Sequence, residues 1–286
     1  MDMKSKLATY WSQYVLANYR QPNKHYQPPQ FLALWKSPSK ISTRVSPTAL
    51  IFKYALALVM VFLVPMGALT AASERQYFES KEDLAAYCLA NPKLTQLKVT
   101  NCPALTGLPK LPTSLTRLKV DNCSGLRDLP ELPRSLNYLQ VYNCQSLAAL
   151  PQLPSSLYDL EITNCSVVKD IPQLTNSLVD LKVVLCSGLT SLPPLPSSLT
   201  YLAVDNCPGL TNLPLLPKSL TYLEVNSCSG LTSLPVLPNS VTDLCVHNCS
   251  GLTTFPQLPK SLINLSVINC HGITSPLRFK HHRYNY

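Results

Sequence analysis

Glycine is scarce in this chain, with eight residues in 286, where average usage would give about 20. None of the eight falls into a Gly-x-x-x-x-Gly-Lys phosphate loop or a Gly-x-Ser-x-Gly nucleophile elbow, so neither catalytic backbone turn is present. Histidine is scarcer, at five residues, and no His-Glu-x-x-His pair occurs to hold a catalytic zinc. Acidic residues number 15 against 24 Lys and Arg, an imbalance that invites nucleic acid as a partner. The distribution argues against it. Residues 1–53 carry eight Lys/Arg against Asp2 alone, residues 94–275 carry ten of each sign, and Arg278, Lys280 and Arg283 lie in the last eleven residues. The basicity sits in the two ends, so no basic groove follows a phosphate backbone. The expectation is a chain that is not an enzyme, needs no cofactor and binds no nucleic acid.

What the sequence does have is a comb. Cys102, Cys123, Cys144, Cys165, Cys186, Cys207, Cys228, Cys249 and Cys270 stand 21 residues apart. Each copy follows Leu-x-x-Leu-x-Val-x-Asn-Cys-x-x-Leu-x-x-Leu-Pro-x-Leu-Pro-x-Ser, as in Leu136, Leu139, Val141, Asn143, Cys144, Leu147, Leu150, Pro151, Leu153, Pro154 and Ser156. A 20–29-residue period with this leucine spacing marks a leucine-rich repeat. The fold expected is an α/β-type leucine-rich-repeat solenoid, with short parallel concave strands and a polyproline-like convex side. An N-terminal helical cap and one hydrophobic N-terminal helix complete it.

Within a coil, Leu97-x-Val99 alternates as a strand with both side chains on one face. The tail Leu108-Pro109-x-Leu111-Pro112 cannot be helix, because each proline fixes φ and makes the preceding residue extended. One coil cannot bury its own apolar face; stacking supplies the neighbour. The comb cysteine sits where the chain bends inward, as a small buried filler with a weak S–H donor. Stacked strands lie about 4.7–4.9 Å apart with parallel side chains, whereas a disulfide needs Cβ atoms about 3.5–4.5 Å apart and converging, so structural thiols are expected. The preceding asparagine (Asn101, Asn122, Asn143, Asn164, Asn206, Asn248, Asn269) is expected to cap the bend through local backbone. A ligand-binding asparagine ladder is the alternative. The serine closing each tail, Ser114 through Ser261, reads as structural.

Around the repeats of 94–275, Ser80-Lys-Glu-Asp83 followed by Leu84, Ala85, Cys88 and Leu89 predicts a capping helix over 78–92. Residues 276–286 form a basic tail. Tyr54–Ala72 runs nineteen residues without a charge, enough to span a bilayer, with Pro65 and Gly67 as possible kinks, so 50–73 is expected to be a transmembrane or signal-anchor helix. A cleaved signal competes, since Ala-Leu-Thr-Ala-Ala-Ser resembles a cleavage site, although the basic region before it is far longer than an ordinary signal has. A buried helix is a third reading. Lys/Arg excess ahead of the run places residues 1–53 on the cytoplasmic side. Within 1–49, residues 7–19 set Leu7, Tyr10, Trp11, Tyr14, Val15 and Tyr19 on one helical face, suited to a membrane surface or to packing, and a Pro-rich linker follows. Localisation is accordingly membrane-associated and single-pass, or secreted into a host cell.

Outward strand positions vary from coil to coil over a uniform core, the pattern of a protein-binding face. One column reads Gln96, Arg117, Tyr138, Asp159, Asp180, Tyr201, Tyr222, Asp243, Asn264, and the next Lys98, Lys119, Gln140, Glu161, Lys182, Ala203, Glu224, Cys245, Ser266. Tyrosines anchor interfaces at low entropy cost. The first patch expected to bind a protein partner gathers Tyr138, Tyr142 and Tyr158 with Asp159 and Glu161, flanked by Arg117, Lys119 and Asp180. Tyr201 and Tyr222 form the second. In the fifth coil Val184-Leu185 replaces the polar-Asn pair, which suits a partner contact or a tighter bend. Cys245-x-His247-x-Cys249 is no metal site, because Cys249 belongs to the inward comb while the other two face out.

The tail Leu129-Pro130-Glu131-Leu132-Pro133 resembles the LPX-type repeats of YopM- and IpaH-like bacterial effectors over roughly residues 80–275. The Asn-Cys-x-x-Leu bend is closer to cysteine-type and plant resistance-protein repeats, and the family's ligase domain is not expected after Ile273. The resemblance implies a non-enzymatic effector that binds host proteins. A membrane-anchored envelope or surface receptor for peptide or glycan is the alternative.

Overall fold

The computed structural model describes residues 76–273. Helix α1 spans Lys81–Ala90, and nine strands follow: β1 Gln96–Thr100, β2 Arg117–Asp121, β3 Tyr138–Tyr142, β4 Asp159–Thr163, β5 Asp180–Val184, β6 Tyr201–Asp205, β7 Tyr222–Asn226, β8 Asp243–His247 and β9 Asn264–Ile268. All nine join one parallel sheet in sequence order. Each residue pairs with the one 21 positions on, as Leu139 with Leu160 and Val141 with Ile162. The second and fourth residues of β1–β8 are buried, because period-2 alternation sends them inward. They share one core running from Phe78 to Leu265. The proline tails hold turns and irregular chain without helix.

Repeated devices shape each coil and satisfy its backbone. The residue after each strand has φ between 51° and 56°, the left-handed region that asparagine enters more easily than other side-chain-bearing residues. The asparagine side chains were expected to bond local backbone. Six of them instead bond in pairs across coils, Asn122 Nδ2 to Asn101 Oδ1 at 2.7 Å, Asn164 Nδ2 to Asn143 Oδ1 at 2.9 Å and Asn269 Nδ2 to Asn248 Oδ1 at 3.0 Å, while Asn143 Nδ2 donates to Asp121 Oδ1 at 3.1 Å. A left-handed backbone points the amide along the stack rather than back over its own turn. The tail serines donate to the preceding coil's carbonyls, Ser198 Oγ to Leu178 O at 2.6 Å and Ser240 Oγ to Leu220 O at 2.6 Å. Comb thiols are all free and reach carbonyls, Cys165 Sγ to Thr163 O at 3.5 Å. Six of the eight glycines fall at one turn position; at Gly188 a Cβ would meet Ser166 O at 2.4 Å, so close coil approach demands glycine.

Ser80 caps α1, accepting from Asp83 N–H at 3.1 Å, and Leu84 and Cys88 enter the same core as the strands. Phe78 N–H donates to Cys102 Sγ at 3.2 Å. The amphipathic segment 7–19, the linker, the apolar run 54–72 and the tail 276–286 lie outside the described residues. Among the described residues no helix is long and apolar enough to cross a membrane.

Candidate functional site

The strands' outward side chains form a continuous polar and aromatic surface, because the first, third and fifth residue of each strand point away from the core. The first expected patch separates into two networks. Tyr138 and Tyr142 occupy opposite ends of β3, about 13 Å apart along the strand at 3.3 Å per residue. At one end the Arg117 guanidinium lies over the Tyr138 ring, 4.1 Å from its centroid, and Tyr138 meets Tyr158 with centroids 6.1 Å apart and planes tilted 50°. At the other end Lys119 Nζ lies 4.6 Å from the Tyr142 centroid and pairs with Asp121 at 3.4 Å.

Glu161 links the second network to the middle of the sheet. Its carboxylate accepts from the Tyr142 hydroxyl, from Gln140 Nε2 at 3.3 Å and from Lys182 Nζ at 3.1 Å. Burial and the bond to Glu161 hold the Tyr142 phenol well above its ordinary range. Lys182 is raised first by its own bond to Glu161.

Beyond Lys182, Tyr201 and Tyr222 stack with centroids 4.6 Å apart and planes 8° from parallel. Tyr222 donates to Glu224 at 3.1 Å, and Asn226 Nδ2 donates to the other Glu224 oxygen at 2.6 Å. Between these networks lies a cavity of about 390 Å³, lined by Tyr142, Glu161, Thr163, Lys182, Val184, Tyr201, Ala203, Asp205 and Glu224. The two tyrosine groups are thus parts of one surface. Thr163, Lys182, Ala203, Asp205 and Glu224 were not among the expected site residues. Ala203 ends at Cβ between Lys182 and Glu224 in its column, a break in side-chain length that the sequence displays.

The cavity region is negative. Outward positions of β4–β8 carry Asp159, Glu161, Asp180, Asp205, Glu224 and Asp243 against Lys182 alone. Asp159 is raised above its ordinary value by burial, then by the charges of Asp180 and Glu161. Burial raises Asp180, and burial followed by the charge of Glu224 raises Asp205. Leu185, expected as a contact, stands 42% exposed at the bend beside Val184, with φ 55°. Cys245 and His247 face outward as expected; His247 Nε2 lies 2.7 Å from Ser266 Oγ, and the described residues hold no group of three potential metal ligands. The proline tails expose Leu215 and Val236 at the same position of successive coils, 84% and 80%.

No family model and no curated protein matches the chain. Among solved structures it is similar to YopM from Yersinia enterocolitica WA-314, at 25% identity and a TM-score of 0.22, over 62% of this chain and 55% of that one. The leucine-rich-repeat domain of the type III effector XCV3220 (XopL) is 19% identical over 86% of this chain and 96% of that one, with a TM-score of 0.42. A leucine-rich-repeat protein from Bacteroides ovatus ATCC 8483 is 15% identical over 69% of each chain, with a TM-score of 0.37. All three scores lie below 0.5, so the leucine-rich-repeat architecture rests on the chain's own period, parallel register and asparagine bend.

Proposed function

We propose that this chain is a non-enzymatic protein–protein interaction scaffold, a secreted bacterial effector that binds a host protein across its concave leucine-rich-repeat face. One observation carries the reading: the core repeats from coil to coil while the outward columns change at nearly every strand and hold paired tyrosines among charges. Evenly repeated cores serve stability, whereas varied aromatic and charged surface serves recognition. The effector half of the reading comes from the likeness of the proline tails to LPX-type repeats. The test uses the tagged full chain, cross-linked to host protein, with the captured species identified. Replacing Tyr138, Tyr142 and Tyr158 together by alanine is expected to weaken capture at least about tenfold with an unchanged circular dichroism spectrum. Replacing Leu215 and Val236 by glutamine is expected to leave capture intact. Equal loss in both variants, or none in the tyrosine variant, overturns the concave assignment.

The uncharged run 54–72 favours a second reading, a membrane-anchored envelope receptor binding peptide or glycan outside the cell. Protease protection on intact membranes separates the two. Repeats cleaved outside the producing cell from an uncleaved chain support the receptor, and repeats recovered in host cytosol support the effector.

A further inference from the structure

The cavity between β3 and β7 has walls of two kinds. Tyr142 and Tyr201 supply rings, and Glu161, Asp205 and Glu224 supply three carboxylates against the single ammonium of Lys182. That ammonium is committed to Glu161 at 3.1 Å. Among the described residues neither Asp205 nor Glu224 has an ion pair; the charge acting most strongly on Asp205 is the like charge of Glu224. One face of Tyr201 is covered by Tyr222, and the register leaves the other toward the coil of Lys182.

We propose that this cavity receives one arginine side chain from a basic segment of the protein partner. The proposal rests on the scaffold reading above and names the chemistry its partner must bring. A guanidinium is a planar cation with five N–H donors. It lies flat on a tyrosine ring and gives paired hydrogen bonds to carboxylates, so it answers both kinds of wall at once. Lysine answers only the charge, as a compact and strongly hydrated point. Space for the guanidinium exists because Ala203 stops at Cβ where the flanking coils carry Lys182 and Glu224. Its 2% exposure shows it lying at the bottom.

The test is panning of the detergent-solubilised full chain against bead-bound random nonapeptides, with position-wise sequencing of what is retained. Arginine is expected at one register, enriched about tenfold over glutamine and clearly over lysine. Ala203→Gln fills the cavity with a side chain that the same column carries at Gln140, so folding is preserved, and it is expected to abolish the enrichment. Ser266→Gln, in the same column outside the cavity, is expected to retain it. Peptide binding without arginine preference, equal arginine and lysine enrichment, or arginine enrichment intact in Ala203→Gln overturns the arginine site and leaves the scaffold standing. Enrichment that appears only after the eight Lys/Arg of residues 1–53 are replaced by glutamine overturns it in favour of this chain's own basic segment as the occupant. No peptide binding in any variant, together with unimpaired capture by the triple tyrosine variant, overturns both readings.

Discussion

Leu185 adopts φ 55° at a bend where seven of the nine coils place asparagine. The left-handed region brings Cβ against the following carbonyl and costs a residue such as leucine about 1–2 kcal/mol. Leucine also lacks the amide with which Asn122, Asn164 and Asn269 bond the preceding coil's asparagine. The side chain then stands 42% exposed beside Val184 on the cavity wall. A residue that strains the backbone, forgoes a cross-coil amide bond and exposes apolar surface adds nothing to the fold, and we propose that it is kept for contact with the partner. Leu185→Asn is expected to raise stability by about 1–2 kcal/mol, read as a higher urea midpoint with an unchanged slope, and to weaken partner capture. A variant that gains stability and captures as strongly would show Leu185 to be a neutral departure. The sequence displays the departure from template, but not its energy, because strain depends on a dihedral that only the folded coil defines.

At the scale of the coil, the repeat makes nearly everything legible. Nine copies of one pattern fix the period, the strand positions, the inward leucines and the register, since any other pairing would misalign the asparagine bends. Two features stayed hidden for identifiable reasons. The asparagine amides turn along the stack because the bend is left-handed, which composition does not reveal. Tyr138 and Tyr142 fall into separate networks because four residues of strand separate them, and their ring partners depend on the neighbouring coils' rotamers. The cysteine comb yields the prediction proper to this scale. Burial pushes the thiols of Cys144, Cys165, Cys207 and Cys228 up to about 12 and those of Cys123 and Cys249 to about 11. The thiolate is the reactive form, so at pH 8 these six should resist a disulfide reagent in the native protein. Cys245 on the outward strand face and Cys270 in the last coil, both partly exposed, should react first. Guanidinium should release all eleven. Rapid native modification of more than two thiols would mean that the coils open, and a native count of zero would mean that the concave face is covered.

At the scale of the molecule, charge balance conceals a field. Ten residues of each sign over 94–275 read as a neutral solenoid, yet Lys98, Arg117 and Lys119 face out against Asp121 alone from the first two strands, while six carboxylates and Lys182 face out from β4–β8. Only the register, which sets side chains 21 residues apart next to each other, turns a balanced list into a polarised surface. Burial of charge, and at Asp159 and Asp205 the like charges beside them, oppose folding, and the sign of the effect is fixed by the direction of the shifts. Asp159, Asp180 and Asp205 are all raised above 3.8, so the folded state keeps their protons to higher pH than the unfolded chain does. Their ionisation therefore costs stability at neutral pH. That cost is relieved as pH falls through the raised folded values toward 3.8. Asp243 has the opposite sign: bonds from Thr242 and Asn264 lower it, so its contribution is present above 3.8 and lost in acid. Replacing Asp159, Asp180 and Asp205 together by asparagine is expected to raise Tm at pH 7 by roughly 2–4 °C, equivalent to about 1 kcal/mol at this size. The gain should shrink as pH approaches 3.8, where the wild-type carboxyls are protonated as well. The same variant should lose arginine enrichment in the panning experiment while the triple tyrosine variant keeps its pH profile. A Tm gain that stays constant across pH would assign the effect to packing, and no gain would show that the field is already neutralised by cations from solution. The two properties meet at Asp205, the one of these three aspartates on the cavity wall: its carboxylate weakens the empty scaffold and is among those a cationic partner would satisfy.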